Sequence, residues 1–314
     1  MKIDSQQRTV VASQPQVNGK SNRAPDGFHF TSADGLSIAC VKWGGHHDAR
    51  GVVQIAHGLG EHIGRYAELA ETLMQTGFVV YGNDHRGHGL TAQPSGSFGD
   101  FGPGGFDQLV EDMVSLSIIA RNAYPRKPFI LLGHSMGSFA SQQFILDHSL
   151  SIDGLALSGS GALDDLVRFA QSVPAGADPM KMMNATFQPT RTPFDWLTRD
   201  NEEVDAFVSD RLCFPSLSAR SMVSFLNASP RLAEPRELRK VRPGLPIYIF
   251  SGSADPVGQG LEGVRRLINR YRRAGITSIA HDFYPGGRHE MLHELNRREV
   301  VRNLLTWTSS VLKE

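Results

Sequence analysis

One short stretch constrains the fold of this chain more than any other. The apolar run 129–132 predicts a buried strand, and it ends in Gly133-His-Ser135-Met-Gly137. Residues 139–146 follow with the apolar spacing of a helix. A serine at the tip of a sharp strand-to-helix turn needs small neighbours, because the backbone there is strained and closely packed. The stretch therefore predicts that Ser135 is an exposed nucleophile, although three fixed residues also occur by chance in glycine-rich turns.

The composition excludes several classes of protein. Lys plus Arg and Asp plus Glu number 32 each, and this zero net charge argues against a nucleic-acid-binding surface spread over the molecule. The two cysteines, Cys40 and Cys213, are too few for a disulfide framework, and no apolar run is long enough to predict a membrane span. Met1–Pro25 is polar and lacks the apolar centre of a signal peptide. We therefore expect a disordered leader at 1–25 on a soluble, cytoplasmic protein.

Apolar strands and helices alternate along most of the chain. Strands are predicted at 28–31, 36–43, 51–56, 78–81, 129–132, 152–157, 245–251 and 279–284, and further helices at 65–75, 106–122, 260–274 and 295–312. This alternation indicates βαβ units and a mostly parallel sheet. The rhythm breaks in the middle of the chain, where Pro, Met and aromatic residues are frequent and no clean strand occurs. We predict an α/β core formed by 26–160 and 241–314, interrupted by a helical cap at 161–240.

A nucleophilic serine needs a neighbouring base, and the base needs an acid to orient it. Two later predicted strands each end in a loop with a suitable residue: Asp255 follows the seventh strand and His289 follows the eighth. Open α/β sheets place their active sites just beyond the carboxyl ends of strands. His281 also follows Asp255 but falls within a predicted strand. We therefore predict that Ser135, Asp255 and His289 are the catalytic residues.

The reaction of a serine with an acyl group also needs N–H donors for the negative oxygen that forms. The order Ser, Asp, His along the chain is that of α/β-hydrolases, in which one donor follows the nucleophile and another lies after the third strand. Met136 follows Ser135, and Leu59 lies in the loop His57-Gly-Leu59-Gly after the third predicted strand. We therefore predict that the backbone N–H groups of Leu59 and Met136 form the oxyanion hole.

Five sequence blocks carry a family resemblance. They are His57-Gly-Leu-Gly-Glu-His-Ile-Gly-Arg-Tyr66, Asn83-Asp-His-Arg-Gly-His-Gly89, Gly133-His-Ser-Met-Gly137, Gly252-Ser-Ala-Asp255 and Gly286-Gly-Arg-His-Glu-Met-Leu292. In order and spacing they resemble the monoacylglycerol lipase branch of the α/β-hydrolases, which includes bacterial lysophospholipases. The resemblance covers about 28–312 and implies an α/β-hydrolase fold that cleaves a single acyl ester of glycerol, or of a related small head group, without a cofactor.

The resemblance also implies roles for particular residues around the head group. By position, Glu61 and Arg65 match polar residues that line the glycerol side of the family's pocket. Leu292 stands where animal members have a second histidine that helps to hold glycerol, and His293 is adjacent to it. Because Leu292 stands in place of that histidine, the sequence leaves the head-group preference open. A second difference from the family lies beside the serine turn, where Ser138 stands in place of the further glycine of many members.

Several alternatives use the same residues. A lysophospholipase or a short-chain or medium-chain carboxylesterase would share the machinery, a peptidase is disfavoured only by the resemblance, and a non-catalytic ligand sensor is the alternative from another class. Met is adaptable in packing, so some residues of Met180 to Phe225 are expected to meet a variable acyl chain. The cap is also expected to make peripheral membrane contact. The expected partner is a small lipid ester, with no nucleic acid, and the oligomeric state is not indicated.

Other motifs point to metals or nucleotides, but their context opposes both. His289-Glu-Met-Leu-His293 matches the zinc-protease signature, yet Pro285-Gly-Gly upstream opposes a helix that would frame both histidines. Gly258-Gln-Gly-Leu-Glu-Gly263 matches a dinucleotide fingerprint, but too little chain follows it. The block 83–89 is interpreted as a structural loop, and the basic stretch 265–273 as an amphipathic helix with a solvated face. We predict neither a metal nor a cofactor.

Overall fold

The computed structural model describes residues 25–45, 48–173, 182–214 and 216–312. The predicted leader lies outside the described residues apart from Pro25, and so does Met180 of the predicted cap. Within the described residues the strands are β1 (Asp26–Thr31), β2 (Ser37–Trp43), β3 (Gly51–Ala56), β4 (Phe78–Asn83), β5 (Phe129–His134), β6 (Gly154–Ser158), β7 (Ile247–Gly252) and β8 (Ile279–Tyr284). They form one sheet in the order β1-β2-β4-β3-β5-β6-β7-β8.

Eleven α-helices of four or more residues are described between and after the strands. They are α1 (Ala67–Gln75), α2 (Gly89–Ala92), α3 (Gly105–Ala123), α4 (Met136–His148), α5 (Leu163–Ser172), α6 (Asn201–Ser209), α7 (Ala219–Leu226), α8 (Ser229–Ala233), α9 (Pro235–Leu238), α10 (Glu262–Arg273) and α11 (Arg297–Val311). Short 3-10 helices lie at Ile63–Tyr66, Gln93–Ser95, Ser149–Ser151, Ala185–Phe187 and Met291–His293. No helix in the described part of the chain is long and apolar enough to cross a membrane.

The sheet is parallel from β4 to β8, and only β1–β2 and β2–β4 pair antiparallel. The central strands are buried on both faces, which explains why their sequences are nearly continuous apolar runs. Successive side chains point to opposite faces, so Val52 joins one hydrophobic core and Val53 the other. Helices α3, α4 and α10 cover the first face, and α1 and α11 cover the second.

This topology brings the predicted site loops to one edge. The carboxyl ends of β3, β5, β7 and β8 lie at the same edge because these strands run parallel. The chain order reverses at β3, which lies between β4 and β5, and such switch points open a crevice for ligands. The mostly parallel sheet with flanking helices, and with helices α5–α9 inserted after β6, confirms the predicted fold class.

Some predicted boundaries shift by a few residues. The helix predicted from Arg65 starts instead with a 3-10 turn, because the side chain of His62 accepts a hydrogen bond from Gly64 N–H at its beginning. The strand predicted from Ile152 starts at Gly154, after a 3-10 turn that ends at Ser151. These shifts leave the order of the elements unchanged.

Helix α7 of the inserted segment is hydrogen-bonded to the core and packs against it. In α7, Ser221 Oγ accepts a hydrogen bond from Phe101 N–H at 2.9 Å, and Ser224 Oγ accepts one from Phe106 N–H at 2.9 Å. The ring of Phe225 packs on that of Phe106 at a centroid distance of 5.0 Å. The cap is therefore held over the carboxyl edge of the sheet by both polar and apolar contacts.

Candidate active site

Ser135 occupies a strained turn between β5 and α4. Its backbone has φ 50° and ψ −121°, a conformation that costs a residue other than glycine about 1–3 kcal/mol. Its N–H donates to the carbonyl of Ser158 at 2.9 Å, which ties the turn to β6. A side chain at Gly137 would collide with the carbonyl oxygens of Ala56 and His57. The sequence pattern around the serine therefore has a direct steric cause.

The predicted acid and base lie in contact. His289 Nδ1–H donates to Asp255 Oδ1 at 2.9 Å, and the same oxygen accepts a hydrogen bond from Val257 N–H at 2.9 Å. Asp255 is fully buried and His289 is 2% exposed. A proton held on Nδ1 by this carboxylate leaves Nε2 of His289 free to accept one.

The charge of Asp255 also changes the acidity of the base. Burial by itself lowers the pKa of His289, but the charge and the hydrogen bond of Asp255, with smaller contributions from Glu290 and Glu61, more than offset this effect. The pKa of His289 is therefore raised above its ordinary value of 6.5. A base with a raised pKa is a stronger proton acceptor when it is neutral.

Ser135 and His289 line the same cavity, which has a volume of about 200 Å³. The indole ring of Trp196, from the cap, lies 5.0 Å from the ring of His289, and the ring of His134 lies 4.8 Å from it on the core side. Trp196 and His134 are both mostly buried. The base is thus held between a cap residue and the residue that precedes the serine.

Both predicted oxyanion donors also line this cavity. Met136 is the first residue of α4, so its N–H has no carbonyl partner inside the helix. Leu59 lies in a loop whose shape is fixed on both sides: His57 Nδ1–H donates to Gly58 O at 2.8 Å, and Gly58 N–H donates to Glu61 Oε1 at 2.5 Å. The two backbone N–H groups therefore belong to rigid segments at the cavity wall.

The two predicted head-group residues form a buried ionic cluster with a third. Arg65 Nη1 donates to Glu61 Oε2 at 2.8 Å, and Arg65 makes two bonds to Glu290 at 2.7 and 2.8 Å. Tyr66 also donates to Glu61, at 2.7 Å. Glu61 and Glu290 line the cavity of Ser135, whereas Arg65 lies behind them and lines a second cavity of about 400 Å³ between α1 and α11.

This cluster carries a net negative charge. Burial raises the pKa of Glu61 and of Glu290, but the charge of Arg65, together with hydrogen bonds and nearby histidines, lowers both pKa values below their ordinary range. Burial lowers the pKa of Arg65, but the charge and hydrogen bonds of Glu290, together with the charge of Glu61, outweigh burial and raise that pKa. Two carboxylates beside one guanidinium leave one negative charge at the polar end of the cavity.

The remainder of the cavity wall is apolar and comes largely from the cap. Of the Met and aromatic residues noted in the sequence, the wall includes Phe169, Met183, Phe194, Phe207, Met222 and Phe225. Trp196, from the range in which substrate-facing residues are predicted, also lines the cavity, whereas Glu290 and His134 are residues of the site that the sequence did not indicate. Glu290 is adjacent to His289 and belongs to both the zinc-like motif and a block of the family resemblance, and His134 lies inside the serine motif.

The metal-like motifs make other contacts in the described structure. His293 Nδ1 pairs with Glu203 Oε2 at 3.2 Å, so the two histidines of the zinc-like motif contact different carboxylates. Asp84 accepts hydrogen bonds from Ile63 N–H and Leu90 N–H and so fixes two turns.

The basic stretch 265–273 forms an amphipathic helix, as predicted. Arg266 and Arg270 of α10 pair with Asp165 and Asp164 of α5, at 2.9 and 2.6 Å. Leu267 and Ile268 are buried on the opposite side of the helix. The charged side of α10 is therefore partly neutralised by the cap.

Known proteins resemble this chain over most of its length. A monoacylglycerol lipase of Mycolicibacterium smegmatis is 28% identical over 298 residues, which span 90% of this chain and 96% of that protein. Lysophospholipase L2 of Escherichia coli is 33% identical over 140 residues, which span 43% of this chain and 40% of that protein. A crystal structure of a thermostable carboxyl esterase from Bacillus coagulans, in complex with glycerol, superposes with a TM-score of 0.83 at 30% identity, covering 93% and 100% of the two chains.

These similarities confirm the predicted resemblance to the monoacylglycerol lipase branch of the α/β-hydrolases. The family model described as serine aminopeptidase, S33, matches residues 47–296, which is well over half of the chain. The chain therefore belongs to the serine aminopeptidase S33 family of hydrolases.

Proposed function

We propose that this protein is a serine esterase that hydrolyses monoacylglycerol to a fatty acid and glycerol through an acyl-enzyme intermediate. One observation carries the proposal: Ser135 and His289 lie where an apolar cavity meets a polar end formed by Glu61 and Glu290. A monoacylglycerol has the same division, with an apolar chain and a hydroxyl-rich head joined at the scissile ester. The family relationship and the resemblance to a monoacylglycerol lipase support the same reaction.

In the proposed reaction, His289 Nε2 accepts the proton of Ser135 Oγ as that oxygen attacks the ester carbonyl. Asp255 orients His289 and stabilises its charged form. The N–H groups of Leu59 and Met136 hold the negative oxygen, and one such donor typically supplies about 3–4 kcal/mol. His289 then protonates the departing glycerol oxygen, and water repeats the sequence on the acyl-enzyme to release the fatty acid.

The charge of the polar end favours glycerol over a phosphorylated head group. An ionised carboxylate can accept hydrogen bonds but cannot donate them. The oxygens of Glu61 and Glu290 therefore suit the hydroxyl groups of glycerol, which can donate hydrogen bonds to them. The same net negative charge repels a phosphodiester, which disfavours the lysophospholipase alternative. We assign the glycerol contact to Glu61, and we assign Arg65 the task of holding the two carboxylates in place rather than touching the substrate.

The size of the cavity favours short or medium acyl chains. Its volume of about 200 Å³ is moderately larger than the roughly 150 Å³ of an apolar cavity that holds benzene. Each buried methylene contributes about 0.8 kcal/mol, so kcat/KM is expected to rise with chain length until the cavity is full. Longer chains would have to extend beyond the present wall.

We also propose that the cap makes peripheral membrane contact. Val208 of α6 and Val223 of α7 are 52% and 58% exposed, although both are large apolar residues. We expect the protein to float with liposomes, and a V208D/V223D double variant to float less. Absence of wild-type protein from the lipid fraction would rule out this contact.

A panel of substrates with one acyl chain tests the proposed function. We expect wild-type protein to cleave a medium-chain monoacylglycerol faster than a lysophospholipid or an amino-acid anilide of matched size. Faster cleavage of the lysophospholipid would favour that alternative, and faster cleavage of the anilide would favour the peptidase. Tight binding of monoacylglycerol without turnover would favour the ligand sensor. Ser135→Ala, measured on every substrate, supplies the background rate.

A further inference from the structure

A second cluster of reactive side chains joins the cap to the core outside the proposed site. It consists of His62, which follows the oxyanion loop, and of Asp210 and Cys213, which follow α6 in the cap. His62 Nε2 lies 2.8 Å from Asp210 Oδ2, and the ligand atoms of all three residues lie within 4.8 Å of one another. Throughout the described ranges, no other group of three His, Cys, Asp or Glu side chains is arranged in this way.

The three side chains form a mixed set of metal ligands. An imidazole nitrogen, a thiolate and a carboxylate suit Zn²⁺, which prefers nitrogen and sulfur and accepts carboxylate oxygen. Thiolate and carboxylate together carry two negative charges, so a bound Zn²⁺ leaves this half-buried site neutral. Three protein ligands leave the fourth tetrahedral position open to water.

The geometry requires only a small adjustment. Zinc ligands at usual bond lengths lie roughly 3.5 Å from one another. His62 Nε2 and Asp210 Oδ2, now 2.8 Å apart, therefore separate slightly, and a pair near the 4.8 Å limit approaches by about 1 Å. His62 and Asp210 are 13% and 34% exposed, which leaves them room to move. Asp210 Oδ1 accepts a hydrogen bond from Leu212 N–H at 2.8 Å, and this bond keeps Oδ2 turned toward His62.

One existing hydrogen bond must break before His62 can bind the metal through Nε2. His62 Nδ1 accepts a bond from Gly64 N–H at 3.2 Å, which places the ring proton on Nε2, against Asp210. Coordination through Nε2 moves the proton to Nδ1 and breaks the bond from Gly64. That bond is exposed, so water can take the place of His62 as the acceptor.

We propose that His62, Asp210 and Cys213 bind Zn²⁺, and that the bound ion slows the enzyme by fastening the cap to the oxyanion loop. The loop and the cap already meet beside this cluster, where Phe214 N–H donates to Gly60 O at 2.9 Å. Phe214 and Leu59 both line the cavity of Ser135. A metal bridge here restrains the cap segment that lines the cavity at Phe214, and the slowing of turnover rests on the proposed esterase function.

Titration with Co²⁺ tests the site without any need for activity. Co²⁺ takes the place of Zn²⁺, and a thiolate ligand gives it an intense near-ultraviolet charge-transfer band. We expect one equivalent of Co²⁺ to produce this band in wild-type protein and Zn²⁺ to abolish it. Cys213→Ser is expected to lose the band and to weaken binding at least roughly tenfold. Cys40→Ala, which removes the other thiol, is expected to retain both.

Metal binding and its effect on turnover are tested by different measurements. A band of equal intensity and affinity in Cys213→Ser, or its loss in Cys40→Ala alone, would overturn the assigned site. If the site binds, Zn²⁺ is expected to lower the wild-type esterase rate at least about fivefold, reversibly with a chelator, and to have little effect on Cys213→Ser. An equal effect of Zn²⁺ on both proteins would overturn the proposed regulation. A chain without esterase activity would still answer the Co²⁺ test.

Discussion

Arg65 makes two hydrogen bonds to Glu290, at 2.7 and 2.8 Å, and so joins the segment after the loop 57–60 to the residue next to His289, the proposed base. Through its bond to Glu61, the same guanidinium also fixes the acceptor of Gly58 N–H. Loops from opposite ends of the chain are thereby held in one arrangement around Ser135.

Removing Arg65 is expected to destabilise the fold and the site together. Arg65→Gln leaves Glu61 and Glu290 buried without their cation, and such a loss typically costs about 3–5 kcal/mol of unfolding free energy. The exposed pair Arg191–Asp205 supplies a matched control, because Arg191→Gln should cost at most about 1 kcal/mol. Urea unfolding measures both. Equal losses in the two variants would contradict a special role for the buried cluster.

Asp255→Asn is expected to lower kcat by roughly 10⁴-fold, because the amide no longer holds the His289 tautomer. The control is Asp282→Asn, on the neighbouring strand, where the carboxylate accepts from Tyr248 OH at 2.6 Å outside the cavity. The pH profile of kcat/KM gives a second measurement. The raised pKa of His289 places the acid limb of the wild-type profile above pH 6.5, and an acid limb below that pH would contradict this interpretation.

The stability of the protein is expected to fall as the pH drops from about 6.5 toward 4. Burial lowers the pKa of His57 and of His134 to about 4, lowers that of His88 to about 3, and holds that of His85 well below 6.5. The unfolded chain therefore binds more protons than the folded one in this range, and each such group removes up to about 1.4 kcal/mol per pH unit.

His289 acts in the opposite direction, because its raised pKa contributes stability that is present below pH 6.5 and is lost as the pH rises through its folded value. The four histidines with lowered pKa values have a larger combined effect on stability than the one histidine with a raised pKa. Urea unfolding at pH 7 and pH 5.5 measures the difference, and stability that is constant or higher at pH 5.5 would contradict the buried, neutral state of the four.

Gly137→Ala is expected to prevent formation of the serine turn. The added methyl group would meet the backbone carbonyls of Ala56 and His57, neither of which can move without disturbing β3. Gly244→Ala is the matched control, since a methyl group at that position meets nothing within 4 Å. Thermal unfolding should show a large loss for the first variant, on the order of 2–4 kcal/mol or more, and little change for the second. Similar melting of both would show that the turn tolerates a side chain.

The parts of the fold that follow from local pattern were predictable from the sequence. Buried parallel strands require apolar runs, and the loops after β7 and β8 each carry a reactive residue, so the sequence alone predicts Asp255 and His289. The ionic partner of Arg65 was not predictable in this way. Glu290 is separated from Arg65 by most of the chain, and nothing in either local sequence indicates that the two side chains meet.

The wall of the cavity was predictable in composition but not in detail. The sequence indicated a cap rich in Met and aromatic residues, yet whether each residue faces the cavity depends on how α5–α9 pack over the sheet. Phe194 lines the cavity, while Phe187 lies against Arg288 outside it. That distinction arises from tertiary packing, and neighbouring residues in the sequence give no sign of it.

The most direct test of the account is the rate at which a medium-chain monoacylglycerol releases fatty acid with wild-type protein, Ser135→Ala and Ser115→Ala. Ser115 lies on α3 away from the cavity, where its hydroxyl bonds only within the helix, so it controls for loss of any hydroxyl. We predict release by the wild-type and Ser115→Ala proteins and a fall of about 10⁶-fold in kcat for Ser135→Ala. Release by Ser135→Ala at the wild-type rate would contradict the proposal that Ser135 is the nucleophile.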